Sequence, residues 1–336
     1  MRTVKIKFVG FWSHLQPEEM HIYNILKKHY NVEICDDPDY IICSLFGDLY
    51  DYCFYDCIRI FYSGENYTPD FNLVDYAIGF DNLKYHDRFL QFPEALKYRH
   101  YLKQAEDKHK EIDDDLLKQK THFANFIFSH ESEKGEREEI FELLSKYKKV
   151  DSVGSFMNNS EDGYVADNYD KKLEFLNKCK FTIAFESTEL EDFYTEKIIH
   201  AYGAKTIPIY FGNKNINDIF NPKSFINCMD FPSFEDAVEY IKKVDQDDEL
   251  YMEMLRTPAF NDLEYVDKKY KELEDFVLHI FEQDYEKAFR RPRHSAPMWC
   301  NDAIKCWITD SRYENRNSKK FLFRVLRKIE SIFYKK

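Results

Sequence analysis

The chain has 336 residues, 44% of them hydrophobic and 32% charged, with only 9 Gly and 10 Pro. That is enough to bury one large core or two ordinary ones, and it excludes collagen-like, low-complexity and disordered classes. Acidic side chains outnumber basic ones 61 to 48, a net charge of −13, although residues 316–336 hold eight Lys or Arg and a single acid, Glu330. So acidic a body excludes wholesale wrapping of nucleic acid, whereas the basic tail suits an anionic surface.

Residues 1–7 alternate polar and apolar side chains like a first strand and lack the apolar run of a signal peptide. No 18 residues run without charge, so no membrane-crossing helix is expected. Strands are predicted at 4–10, 40–45, 59–62 and 74–79 and a helix at 17–30, which make one Rossmann-like half. The charge-rich stretch 103–120 reads as helix or linker. Alternation then restarts, with strands at 123–128, 181–185, 206–211 and 225–229 and helices at 135–147, 172–179, 195–202, 233–244 and 263–281. The pattern implies an α/β fold of two Rossmann-like domains facing a cleft, although periodicity alone also admits a single doubly wound sheet. Eight cysteines, at 35, 43, 53, 57, 179, 228, 300 and 306, form no C-x-x-C pair or zinc-finger spacing and are expected to be reduced thiols of a cytosolic protein.

With no G-x-G-x-x-G and no Walker loop, phosphate binding falls to side-chain cations. Asp37-Pro-Asp39 is formally D-x-D, a metal clamp in other sugar transferases, but its place before the strand at 40–45 marks a turn, and no metal site is expected. The densest cluster starts where the strand 181–185 ends in Glu186 and a polar loop leads to Thr195, a natural helix N-cap, with Glu196 and Lys197 in the first turn. A helix start beside a strand end suits an anion, and Lys197 adds a full charge there. Spacing alone equally describes solvated helix-face charges. Phe61-Tyr-Ser-Gly-Glu-Asn66 runs from a strand into a turn and presents Glu65, either a base on a cleft rim or an ordinary exposed carboxylate. Arg137, near the start of the helix at 135–147, is suited to bidentate phosphate contact or to pairing with its glutamate neighbours.

Taken in order, Glu186, Tyr194-Thr-Glu-Lys-Ile-Ile199, Thr206-Ile-Pro-Ile-Tyr-Phe-Gly212 and Phe220-Asn-Pro-Lys-Ser-Phe-Ile-Asn227 resemble the signature of the α-1,3/4-fucosyltransferase family, in its bacterial form. Phe61-Tyr-Ser-Gly-Glu-Asn66 and Asp75-Tyr-Ala-Ile-Gly-Phe-Asp81 resemble that family's acceptor-half motifs, so the match runs from about 60 to 260, weakest near 95–120. The resemblance implies a GT-B fold with an acceptor domain first and a GDP-fucose domain second, here 1–120 and 121–285; residues 286–336 read, from their own pattern, as a linker with a basic amphipathic helix. It implies an inverting transfer of L-fucose from GDP-β-L-fucose to the GlcNAc or Glc of a β-galactoside, such as N-acetyllactosamine or lactose, in surface polysaccharide, lipopolysaccharide or Lewis-type glycans. Glu65 matches the family's general base, with Asn66 beside it on the acceptor. Arg137 matches the arginine on the diphosphate, and Glu196 and Lys197 the nucleotide-sugar pair. Glu186 matches a carboxylate near the fucose, with a catalytic role. Phe193 stands where the family often has Tyr, so the aromatic contact to the donor falls to Phe193 or Tyr194. No metal or cofactor is required by this scheme, and Mn²⁺ or Mg²⁺ would at most stimulate GDP release. The alternatives are a GT-B transferase using another nucleotide sugar and a non-catalytic carbohydrate-binding relative. From 319 on, Phe321, Leu322, Val325, Leu326, Ile329, Ile332 and Phe333 recur at helical spacing with basic residues opposite, which predicts peripheral attachment to the cytoplasmic face of an anionic membrane.

Overall fold

A computed structural model describes residues 1–47, 49–97, 99–160 and 169–316. The first half is a six-stranded sheet built from β1 (Thr3–Val9), β2 (Asn31–Ile34), β3 (Tyr40–Cys43), β4 (Ile58–Tyr62), β5 (Tyr76–Gly79) and β6 (Phe89–Gln91), with α1 (His21–His29) crossing from β1 to β2. Its spatial order is β2-β1-β3-β4-β5-β6, every pair parallel. Parallel strands buried on both faces read as continuous apolar runs, and β3, β4 and β5 are buried at every position. Short edge strands carry no such run: β2 is mostly exposed, and neither it nor β6 is evident from periodicity.

The charge-rich connection is α2 (Arg99–Asp107), which buries Leu102 and Ala105, a turn that buries Lys108, and the short α3 (Leu116–Gln119). The Lys108 ammonium donates to the carbonyls of Leu255 and Thr257, both at 2.8 Å. The second half contains β7 (His122–Phe126), α4 (Glu136–Ser145), β8 (Val150–Ser152), α5 (Tyr169–Asn177), β9 (Cys179–Phe185), α6 (Glu196–Gly203), β10 (Ile207–Phe211), α7 (Ile216–Ile219), β11 (Ile226–Asn227), α8 (Phe234–Gln246) and α9 (Asp248–Arg256). Its five parallel strands lie in the order β11-β10-β9-β7-β8. Two parallel sheets, each covered by helices, are the two Rossmann-like domains expected.

The boundaries differ from those expected. The long helix α10 (Tyr265–Glu282), assigned by sequence to the second domain, returns to the first: Val266, Leu273, Val277, Ile280 and Phe281 share a core with Val4, Ile6, Ile22 and Tyr40. Phe281 stacks on Tyr40 at 4.3 Å. An amphipathic helix shows only that one face is buried, not which sheet buries it. The expected linker after 285 is folded too, as α11 (Tyr285–Ala288) and α12 (Ala296–Arg316). Asp75, fully buried, accepts from the N–H groups of Arg290 and Arg291 and from the Arg291 guanidinium. Arg59 in β4 donates to Asn301 of α12 at 2.9 Å. An Arg-rich stretch looks solvated in sequence, but buried carboxylate and carbonyl partners draw it inside. Apart from Arg316, the basic amphipathic stretch 316–336 lies outside the described residues.

Candidate active site

In each sheet the chain leaves β1 or β7 for one neighbour and later returns to the other side, so the strand order reverses between β1 and β3 and between β7 and β9. Ligands of open parallel sheets gather outside the carboxyl ends of strands at such reversals. Glu186 follows β9 at the second of them and turns inward, 1% exposed. Its N–H donates to the Phe211 carbonyl at 2.8 Å. Next to it Gly212 has φ +149, and a Cβ there would lie 2.7 Å from the Glu186 side chain, so only glycine lets the end of β10 approach so closely.

The Glu186 carboxylate accepts from the Thr195 N–H at 2.8 Å, the Thr195 hydroxyl at 2.8 Å and the Lys197 ammonium at 3.3 Å. These groups open α6, where backbone N–H groups lack intrahelical partners and a negative charge is favourable. Both carboxylate oxygens are therefore engaged away from solvent. The expected catalytic carboxylate is thus bound to Thr195 and Lys197, with its side chain shielded from solvent. A Glu directly after a buried strand reads the same whether it is shielded or open.

Lys197, 24% exposed at its side chain, sits between Glu186 and Glu196, the latter 3.6 Å away, and also donates to the Thr195 hydroxyl at 2.8 Å. Burial disfavours its charge, but the two carboxylates outweigh burial and raise its pKa. Burial likewise works against an ionised Glu196, yet Lys197, His200 and Lys172 pull its pKa down to about 2. Lys172, on α5, lies 3.4 Å from the His200 ring. Burial first, then Lys172, takes His200 down to about 3, so its imidazole is neutral. The sequence reading missed Lys172, whose helix shows only an ordinary solvated-lysine pattern.

Arg137, in the first turn of α4, is 4% exposed. Its guanidinium donates to the carbonyls of His130 at 3.0 Å, Glu131 at 3.4 Å and Phe185 at 3.0 Å, and lies over the Phe128 ring. It ties the loop after β7 to the end of β9, next to Glu186, and its buried Nε has no hydrogen-bond partner among the described residues. The surface pairing that its glutamate neighbours suggested does not form. Of the two aromatic candidates, Tyr194 is a core residue whose hydroxyl pairs with that of Tyr265 at 2.8 Å. Phe193, also buried, packs edge-on against Phe80 of the first half at 5.4 Å.

Across the cleft, Glu65 and Asn66 lie exposed just beyond β4. The surrounding protein, and then the Glu94 carboxylate, push the Glu65 pKa up, with Lys97 and Lys197 opposing. Lys197 and Glu196 of the second half thus lie within electrostatic range of Glu65 of the first, with no direct hydrogen bond or ion pair joining them among the described residues. Glu94 and Lys97, paired at 2.6 Å with Lys97 over the Tyr62 ring, are further rim residues that the sequence reading missed. Among the described residues no group of three or more His, Cys, Asp or Glu is placed to hold a metal ion.

Residues 6–98 match the model of the alpha-(1,3)-fucosyltransferase FucT N-terminal domain, and residues 117–276 that of the glycosyltransferase family 10 (fucosyltransferase) C-terminal region. The chain belongs to the family 10 fucosyltransferases. It is 30% identical over 323 residues to alpha-(1,3)-fucosyltransferase FucT of Helicobacter pylori, a match covering 84% of this chain and 66% of that one. It spans less than half the length of the next curated relatives. The crystal structure of an alpha1,3-fucosyltransferase superposes with a TM-score of 0.72 at 28% identity, covering 86% of this chain and 92% of the other. One with GDP-fucose superposes with 0.65 at 26% identity, covering 82% and 91%. The family 10 fold therefore runs through both halves.

Proposed function

We propose that this chain transfers L-fucose from GDP-β-L-fucose, with inversion, to the 3-hydroxyl of GlcNAc, or of Glc, in a β-galactoside acceptor. The observation that carries this reading is the placement of Glu65 just past β4 of the first half within electrostatic range of Glu196 and Lys197, which open α6 of the second half. A carboxylate of raised pKa, open to solvent, suits a general base. It takes the acceptor hydroxyl's proton as that oxygen attacks C1 of fucose, while the bond from C1 to the diphosphate oxygen breaks on the opposite face. The β-linked donor thereby becomes an α-linked product. The electron pair leaves with GDP, whose growing charge meets Lys197 at the start of α6, and Arg137 holds the neighbouring loop in place. Glu196, kept ionised, is available to accept hydrogen bonds from donor hydroxyls.

The decisive experiment supplies the chain with a panel of nucleotide sugars and with lactose and type 1 and type 2 N-acetyllactosamine, followed by linkage analysis. Fucose from GDP-fucose on the 3-position supports the reading, whereas transfer of another sugar, or none, overturns it. The proposal extends to location: the exposed Trp299 and Trp307 of α12 lead into the basic stretch 316–336, which suits peripheral attachment to an anionic cytoplasmic leaflet near lipid-linked acceptors. Removal of residues 316–336 should abolish salt-sensitive binding to vesicles containing phosphatidylserine.

A further inference from the structure

The second strand reversal is filled by the donor-side residues, whereas the first, between β1 and β3, carries none of the residues discussed so far. The loops leaving those two strands are locked together. Gly10, at φ +74, offers its carbonyl to the N–H groups of Phe46 at 2.7 Å and Gly47 at 2.9 Å, and the Ser44 N–H donates to the Val9 carbonyl at 3.0 Å. A Cβ on Gly10 would lie 2.3 Å from the Ser44 carbonyl oxygen, so the close approach depends on glycine. Phe11 then packs on Phe8 at 5.9 Å and anchors the next residue, Trp12. The Trp12 indole stacks on Phe46 at 3.8 Å and 20° and is still 49% exposed. A large aromatic held on a fixed backbone, backed by a second ring and left open to water, forgoes burial that a core position would provide.

Its place in the sheet says what would use it. Trp12 lies three residues beyond the end of β1 and Glu65 three beyond the end of β4. β1 and β4 are separated only by β3, so the two loops start about 10 Å apart at ordinary strand spacing. That is within the reach of a disaccharide whose first sugar presents its hydroxyl to Glu65. Pyranoses expose an apolar face of C–H groups that packs on aromatic rings, and galactose, with its axial 4-hydroxyl, has a continuous patch at C3, C4 and C5. We propose that Trp12, backed by Phe46, is the stacking platform for the outer galactose of the acceptor. It is then the feature by which the enzyme prefers a β-galactoside to a single sugar. This rests on reading the chain as a transferase with a glycan acceptor.

Two measurements on the full chain separate the platform from that reading. In the first, KM is determined for N-acetyllactosamine and for N-acetylglucosamine, with hydrolysis of GDP-fucose followed alongside. Trp12→Ala should raise the disaccharide KM about tenfold, the equivalent of roughly 1.4 kcal/mol, and leave the monosaccharide KM and donor hydrolysis unchanged, while Trp12→Tyr should restore most of the loss. An equal loss for both acceptors, or an unchanged disaccharide KM, overturns the platform. In the second, Trp299→Phe combined with Trp307→Phe leaves Trp12 as the only tryptophan of the three in the chain. Its emission should change saturably with N-acetyllactosamine and much less with cellobiose. Unchanged emission while fucose transfer proceeds overturns the platform and spares the transferase reading. A saturable change without transfer keeps the platform and overturns the transferase reading.

Discussion

The two edges of the cleft are built in opposite ways. On the second half, Glu186, Thr195, Lys197, Glu196 and Arg137 are buried or half-buried and bound to one another or to backbone carbonyls. On the first half, Glu65, Asn66 and Trp12 stand exposed at strand ends. A diphosphate carries concentrated charge, and fixed dipoles and cations in a partly dry site stabilise it without reorganisation. A base must instead meet an acceptor arriving from solvent, so it needs access more than enclosure. On the proposed function, the contrast teaches that charge handling and proton removal place different demands on burial.

The sharpest way to break the contrast is on the open side. Glu65→Gln should lower kcat by about 100-fold or more, the usual range for a general base, and leave GDP affinity, measured by calorimetry, unchanged. On the closed side a change should register in stability as well. Glu186→Ala removes the carboxylate beneath Thr195 and Lys197 and should cost about 3 kcal/mol in denaturant unfolding, with weaker GDP binding. Glu186→Gln, which keeps the shape, should retain more of both.

Lys197→Ala should weaken GDP by roughly 10-fold to 100-fold, the loss of a charge-assisted contact, and lower Tm less than Arg137→Ala does, although it leaves the Glu186 and Glu196 carboxylates without their cation. Lys197→Arg should restore only part, since a planar fork does not replace a point charge between Glu186 and Glu196. Arg137→Ala differs in kind: three carbonyls lose their donor, so Tm and GDP affinity should fall together. Equal Tm losses in the two variants would remove the distinction drawn between them.

The smallest expected effect concerns pH. His200 is held near pKa 3, against an ordinary 6.5, and Glu196 near 2, against 4.5. Between pH 6.5 and 3 the unfolded chain binds a proton at His200 that the folded chain does not, so stability falls as pH drops through that window. Glu196 adds a second loss below 4.5. His200→Gln should flatten the decline in Tm between pH 6.5 and 5, and an unaltered slope would place the titration elsewhere.

The sequence alone was enough to read the two α/β halves and the candidate residues at the carboxyl ends of strands, because buried parallel strands and a strand-loop-helix motif are written within ten or so consecutive residues. Glu65, Glu196 and Lys197 could be singled out on that basis. Only the tertiary structure decided that Glu186 faces inward, that the Tyr194 hydroxyl is spent on Tyr265, that Arg137 holds three carbonyls, and that α10 and the arginines after it fold back onto the first sheet. Each of these depends on a partner distant along the chain, and so does the approach of Lys172 to His200. Local periodicity reports that a side chain is buried or charged; the group that meets it is chosen by how the two sheets and their returning helices pack.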